Sequence, residues 1–436
     1  MFRNFFKSLK LILSNSSILQ RIGITLAILL VFKIGTFITI PLIDKTAIDA
    51  TFTNSDFLGF LNTFSGGGLG NFSILALGIS PYITASIVVQ LLQLVIPKLK
   101  EIGEEGEVGK QKINKITRYA SVVLAFVQGL ALILGMNATA ENIFHISVIQ
   151  DQNLMPFYYI FMALVVTAGS CFTVWIADLI TQYGVGNGSS MIIGAGIVSQ
   201  IPAMFVALDQ QFLTEVNAGN VFSFIGVVLL YIVVILGVVY LEATVRKIPV
   251  QHSNRQNKSD SNIPVKLNTS GVIPVIFAST IMSLPLTVLG LLGYTESSNT
   301  ASYWLNQVFS TEHPIGIILY VILIYAFSFF YAFMQFDPGK VSDNLSKSNA
   351  FIPTVRPGQE TENYISRVLF KVTLLGATYL TILALIPIIT AKIFNFTSSA
   401  VTIGGTGLLI VVGVAVETMK QIETDANEQT YSGFIE

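Results

Sequence analysis

The sequence predicts an all-α polytopic membrane protein with ten transmembrane helices, and three observations carry that expectation. Of 436 residues, 52% are hydrophobic and only 11% charged, where a soluble domain carries about 25% charged residues. Apolar segments recur at about 22–40, 74–96, 119–136, 155–177, 189–207, 221–244, 271–293, 314–335, 372–391 and 403–419, each near the ~20 residues a spanning helix needs. Basic residues collect on alternate sides of these segments. Lys and Arg crowd the N-terminus and the 97–118, 245–270 and 336–371 loops, whereas the other loops hold only Lys45 and Lys392. The positive-inside rule then puts both termini and the basic loops in the cytoplasm.

Taken in order, Arg3, Lys7 and Lys10 precede the first span, and no small-residue cleavage site follows it. No removable signal peptide is predicted. Lys33 is the one basic residue well inside a span, and snorkelling or a buried partner is its expected explanation. The next stretch is interrupted. Phe57 to Phe64 is apolar but only eight residues long, roughly 12 Å as helix against a core of about 30 Å. Gly66, Gly67, Gly68 and Gly70 follow, each weakening a helix by about 1 kcal/mol. A short re-entrant helix is therefore expected before a span over 74–96, which carries Pro81 early, where a missing N–H costs least. Lipid does not tolerate broken backbone, so the break must line a cavity or be packed inside protein.

The polar loops 137–153, 208–220 and 294–313 contain no Lys or Arg and read as connectors. Asn217-Ala-Gly-Asn220 lies near the middle of the plan and is a candidate hinge between halves 1–216 and 217–436. An internal repeat supports that division. Gly78-Ile-Ser-Pro81-Tyr-Ile83-Thr-Ala85-Ser86 in the second span matches Gly271-Val-Ile-Pro274-Val-Ile276-Phe-Ala278-Ser279 in the seventh at five of nine positions. An odd number of spans separates the two, so they run in opposite directions through the bilayer. That is the pattern of an inverted-topology repeat, whose pathway lies at the interface of the repeats.

No catalytic constellation is visible: H-E-x-x-H, G-x-S-x-G and P-loop motifs are missing, and the spans lack chains of Asp, Glu and His. Asp178 and Glu242 sit near span ends, where solvent access is expected. The single cysteine, Cys171, excludes an intramolecular disulfide and a cysteine-based metal site. His145, His252 and His313 are scattered and receive no chemistry. No cofactor or metal is expected. A net charge of −1 suggests no nucleic-acid partner.

The repeat places Ile79 and Ile83 on one helix face, with Ile276 the mate of Ile83. Such residues fit either a constriction that gates by dewetting or an ordinary packing face. Thr84, Gln90, Gln128 and Asn268 add polar groups near the same helices, able to hold a seam or simply to satisfy one another. In the second long basic loop, Phe351-Ile-Pro-Thr-Val-Arg356-Pro-Gly358 presents an arginine on a turn, suited to phosphate or carboxylate recognition or to setting topology.

These residues resemble the SecY family of protein-conducting channel subunits nearly end to end. The resemblance rests on Ala76 to Ile87 with Gln90-Leu-Leu, Gly184-Val-Gly-Asn-Gly188, Ile193 to Val198, Ile263 to Asn268 running into Gly271 to Ser279, Phe351 to Gly358, and Gly404-Gly-Thr-Gly-Leu-Leu-Ile410. It implies a ten-helix clamshell of two inverted five-helix halves in the bacterial cytoplasmic membrane, opening sideways between the second/third and seventh/eighth spans. It implies a pore ring of Ile79, Ile83, Ile193, Ile276 and Ile410, with Ser189 departing from the pattern at one ring position. The plug would be the element at about 57–72, with Phe60, Leu61, Phe64, Gly66, Gly67, Gly68, Leu69 and Phe72. Thr84, Gln90, Gln128 and Asn268 would line the lateral gate.

Arg246, Lys247, Arg255 and Arg356 would dock a SecA motor ATPase or the ribosome, although the 245–255 stretch is less basic than the family pattern. SecE-like and SecG-like subunits, precursor proteins with signal peptides, and membrane lipid are the implied partners. The expected function is a passive, gated protein channel that releases hydrophobic segments sideways. A small-solute secondary transporter, suggested by the broken helix and the repeat, is the alternative.

Overall fold

A computed structural model of the chain describes residues 16–40, 62, 65–139, 155–212, 218–252, 261–291, 300–311, 313–394 and 399–432. Within them are thirteen helices: α1 (Ser16–Gly35), α2 (Ser80–Val95), α3 (Pro97–Glu104), α4 (Glu107–Thr139), α5 (Met155–Tyr183), α6 (Gly188–Phe212), α7 (Ala218–Ala243), α8 (Ile273–Leu291), α9 (Thr300–Phe309), α10 (Pro314–Gln335), α11 (Pro338–Lys347), α12 (Gln359–Ile393) and α13 (Ser399–Ser432). Three short strands complete the set: β1 (Val245–His252), β2 (Ser261–Lys266) and β3 (Ala350–Phe351).

Each predicted span falls on a helix: α1, α2, α4 to α8, α10, α12 and α13. Seven of the described helices are individually long and apolar enough to cross a bilayer. At 35 residues, α12 is about 52 Å long and overshoots the hydrocarbon core by several turns. Its first turns stand outside the membrane and carry the sheet.

Three expectations need correction. The second span begins at Ser80 rather than at 74, because Gly78 takes a left-handed φ of +52° and Pro81 sits within the first helical turn. The loop expected at 294–313 contains α9, whose exposed Tyr303 and Trp304 suit a membrane interface. The all-α expectation holds for the membrane part only. The two long basic loops build a sheet in the order β2-β1-β3, with Val245 opposite Lys266, Val250 opposite Ser261 and His252 opposite Ala350. Ile248, Val250, Val265, Ala350 and Ile352 bury against Ile365, Leu369 and Val372 of α12, so the sheet has its own apolar floor.

Of the candidate hinge, Ala218 to Asn220 form the start of α7, and Asn217 lies outside the described residues. Phe60, Leu61 and Phe64 lie outside the described residues, as does Arg255. Residues 65 to 79 are described and form consecutive turns rather than helix. They are packed inside protein, as broken backbone at membrane depth requires: Ser65, Leu69, Phe72, Ser73, Leu75 and Ile79 are each at most 2% exposed. The chain after α1 runs alongside, with Ile40 N–H donating to the Phe72 carbonyl (3.0 Å) and Ile74 N–H to that of Ile38 (2.9 Å).

Candidate functional site

The two repeats start their helices in the same way. Gly78 and Gly271 have φ of +52° and +63°, and Pro81 and Pro274 are each the second residue of their helix. The first turns also match bond for bond. Tyr82 and Ile83 donate to the Ile79 carbonyl, while Val275 and Ile276 donate to that of Val272. The glycine supplies the left-handed turn and the proline loses no hydrogen bond, so the sequence pattern dictates the geometry.

Those turns deliver side chains to one place. Ile79 and Ile83 of the second-span segment, Ile193 of α6, Ile276 of α8 and Ile410 of α13 belong to a single buried cluster. Their exposures are 0%, 7%, 3%, 5% and 2%. Val272, the repeat mate of Ile79, joins the same cluster. The repeat alone carries the signal for it. Ser189 stands apart at the first turn of α6, where its Oγ donates to Asn187 Oδ1 (2.9 Å). A closed knot of branched apolar side chains makes no specific hydrogen bond to anything passing through it, and it resists wetting until it is pushed apart.

One side of this knot is the seam where α8 lies against α4 and α2. Beside it Phe277 of α8 packs edge-on against Phe327 (5.8 Å) and Tyr331 (5.1 Å) of α10. Across the seam Tyr331 Oη donates to Gln90 Oε1 of α2, and Gln90 Nε2 donates to Ser86 Oγ (3.1 Å). The four expected gate residues do not form one network. Thr84 Oγ1 donates to its own helix at Ser80 (3.1 Å), and Gln128 is half-buried on α4.

Asn268 turns away to Glu242, to whose Oε1 its Nδ2 donates at 2.8 Å. Glu242 is therefore not solvated as expected but 6% exposed, and its main-chain carbonyl accepts from Lys420 Nζ of α13. Glu242 and Asn268 are 26 residues apart, and Lys420 is 178 further than Glu242, so sequence spacing gave no signal for the group. Asp178 is paired with Arg118 of α4 at 2.7 Å.

The remaining expected sites are placed as follows. Gly66 to Phe72 form the buried turn beside α1, with Leu69 and Phe72 packed on α4 and α5. Arg246 and Lys247 are exposed on β1, and Arg356 is exposed between two turns. The Arg356 carbonyl accepts from Thr361 Oγ1 (2.8 Å), and that of Gly358 accepts from Ser342 Oγ (2.9 Å), which ties the arginine loop to α12 and α11. Among the described residues no group of His, Cys, Asp and Glu is arranged to hold a metal.

The SecY family profile matches residues 73–419. The protein translocase subunit SecY of Staphylococcus carnosus is 41% identical over 444 aligned residues, covering 99% of this chain and 98% of the relative. That of Halalkalibacterium halodurans is 40% identical and covers 99% and 100%. The chain belongs to the SecY family. Its fold is that of a solved protein-conducting channel, with a TM-score of 0.64 at 21% identity over 94% of this chain and 92% of the other. Sec61 in a canine ribosome-channel complex from the endoplasmic reticulum superposes with a TM-score of 0.61 at 20% identity, covering 94% and 92%. SecY is a channel subunit of the protein translocase and not an enzyme, and the solute-transporter alternative falls with that membership.

In a SecY channel the seam bond is open to a direct test. Tyr331→Phe keeps the aromatic packing and removes the donor to Gln90, a loss of about 0.6–2 kcal/mol in a membrane. A precursor with a weakened signal sequence should then be translocated roughly threefold to thirtyfold faster than by the unaltered channel. An unchanged rate in a vesicle import assay would show that the bond does not hold the seam.

Proposed function

We propose that the isoleucine knot is the closed constriction of a passive channel, threaded by unfolded precursors when α8 parts from α4 and α2. The single observation that supports this reading is the convergence of Ile79, Ile83, Ile193, Ile276 and Ile410, from widely separated parts of the chain, on one buried cluster. An apolar ring suits a cargo of varied chemistry because it recognises none of it. Residues 1–216 and 217–436 act as two bodies. Separating them along the α8 seam gives hydrophobic segments a route to lipid, with Gln90, Thr84, Gln128 and Asn268 along that route.

The termini and the basic loops face the cytoplasm of a bacterial cell membrane. The exposed Arg246, Lys247 and Arg356 receive the driving partner, a SecA motor or a ribosome, and SecE-like and SecG-like subunits complete the assembly. The buried turn that ends at Phe72 belongs to the stopper, most of whose earlier residues lie outside the described ones.

A cysteine at Ile83 or Ile276, with Cys171 replaced by serine, tests the reading. A precursor carrying its own cysteine and stalled in transit should form a disulfide with either position. It should form several-fold less with a cysteine at Phe222, which is 82% exposed on α7. Crosslinking no greater than at Phe222 would reject the ring.

A further inference from the structure

The basic residue inside α1 has a partner whose position assigns it a role. Lys33 Nζ donates to the Gly66 carbonyl at 2.9 Å and lies 5.2 Å from the centre of the Phe37 ring. The same carbonyl lies 3.3 Å from Ser199 Oγ of α6, but that hydroxyl has one hydrogen and sits closer to the Gly196 carbonyl, at 2.7 Å. Lys33 is thus the principal donor.

The turn it holds fits a notch between α1 and α6. Gly66 and Gly67 have φ of +68° and +87°. A Cβ on Gly66 would stand 3.1 Å from Gly196 Cα and 3.3 Å from the Phe32 ring, and one on Gly67 would stand 2.6 Å from Gln200 Nε2. Only bare backbone enters, and it presents its oxygen to the ammonium.

We infer that Lys33 is a positioning residue, a latch whose ammonium holds the stopper segment closed through the Gly66 carbonyl; this rests on the stopper reading above. The bond is charge-assisted and hence roughly twice as strong as a neutral one. It reads a main-chain oxygen, so it holds the segment whatever side chains the stopper carries. It is also releasable. Lys33 is two residues from the end of α1 at Gly35, and when Gly66 leaves, its four-carbon stem can carry the ammonium to the interface.

The test is resting ion leak through proteoliposomes containing the translocon purified through this full chain, without precursor. Lys33→Met keeps most of the stem and should raise the leak about tenfold; Lys33→Arg, which keeps donors, should stay within about twofold. Gly66→Val, which cannot enter the notch, should leak on its own, and adding Lys33→Met to it should change little. With Cys171→Ser as background, Ser65→Cys should be labelled by a polar maleimide faster in Lys33→Met than in Lys33, since Ser65 is 1% exposed.

If Gly66→Val leaks and Lys33→Met neither leaks nor speeds labelling, the latch is overturned and the stopper stands. If Gly66→Val does not leak either, the stopper reading falls and the latch with it. Equal leak from Lys33→Met and Lys33→Arg overturns the latch as well.

Discussion

Replacing Glu242 with alanine should lower the stability of the folded bundle by about 2–4 kcal/mol. The figure sums about 1–3 kcal/mol for leaving the Asn268 amide without its acceptor and about 0.8 kcal/mol for each methylene removed. Glu242 is 6% exposed, and water has no easy way to replace the lost oxygen. Glu242→Gln keeps an oxygen for Asn268 Nδ2, and the Lys420 bond goes to the main chain, which neither variant alters. The glutamine variant should therefore lose less than half as much. Thermal unfolding of the purified protein in detergent reads both, and equal losses would mean that the hydrogen bond to Asn268 is not what Glu242 contributes. The group joins the end of α7, the approach to α8 and α13.

Gly169→Val should cost still more, about 3 kcal/mol or above, in the range reserved for overpacking against an unyielding neighbour. A Cβ there would stand 1.9 Å from the Ile74 carbonyl oxygen and 2.7 Å from its carbon, and backbone cannot step aside as a flexible side chain can. The neighbouring Ser170 Oγ donates to the Gly78 carbonyl (3.1 Å), so α5 is the wall on which the turns before α2 are seated. Pushing that wall away displaces Ile79. Gly23 and Gly226 make the contrast, since nothing lies within 4 Å of a Cβ at either; alanine there should be neutral or stabilise by up to about 1 kcal/mol. Unfolding midpoints and membrane levels of the three variants decide the matter, and a Gly169→Val protein as stable as Gly226→Ala would refute the account.

Much of the fold could be read before any coordinates, and the failures share a cause. Spans are legible because crossing lipid demands a length of apolar chain that nothing else requires. The same signal cannot tell helix from a buried turn, which is why Ile74 to Ile79 passed for part of a span. The correction was available in Gly78 and Pro81, whose spacing recurs at Gly271 and Pro274. The sheet escaped because Pro249 and Pro264 interrupt both strands, and proline argues against a strand unless pairing is one-sided or marginal. The apolar alternation Ile248, Val250 and Ile263, Val265 was the signal that remained.

Among the site residues, Ile79 and Ile83 were linked by helical spacing and Ile276 to Ile83 by the repeat, while Ile193 and Ile410 came through family resemblance. The partners of Lys33, Glu242 and Tyr331 were illegible for a different reason. They are single contacts between distant parts of the chain, made through one carbonyl, one amide or one hydroxyl, and they leave no periodic trace.

The paired helix starts at Ser80 and Ile273 bear on what can leak through a resting channel. A helix N-terminus is the positive end of the backbone dipole, and here two such ends abut the same dry cluster, one beside Ile79 and one beside Val272. A proton or metal cation approaching the knot meets the positive pole of a backbone dipole from both sequence halves, in a medium too apolar to screen it. In the proposed constriction the hydrophobic barrier would be joined by an electrostatic one carried by main chain. A membrane that must hold a proton gradient while passing whole polypeptides gains from that arrangement, because part of the barrier to small cations then comes from main chain.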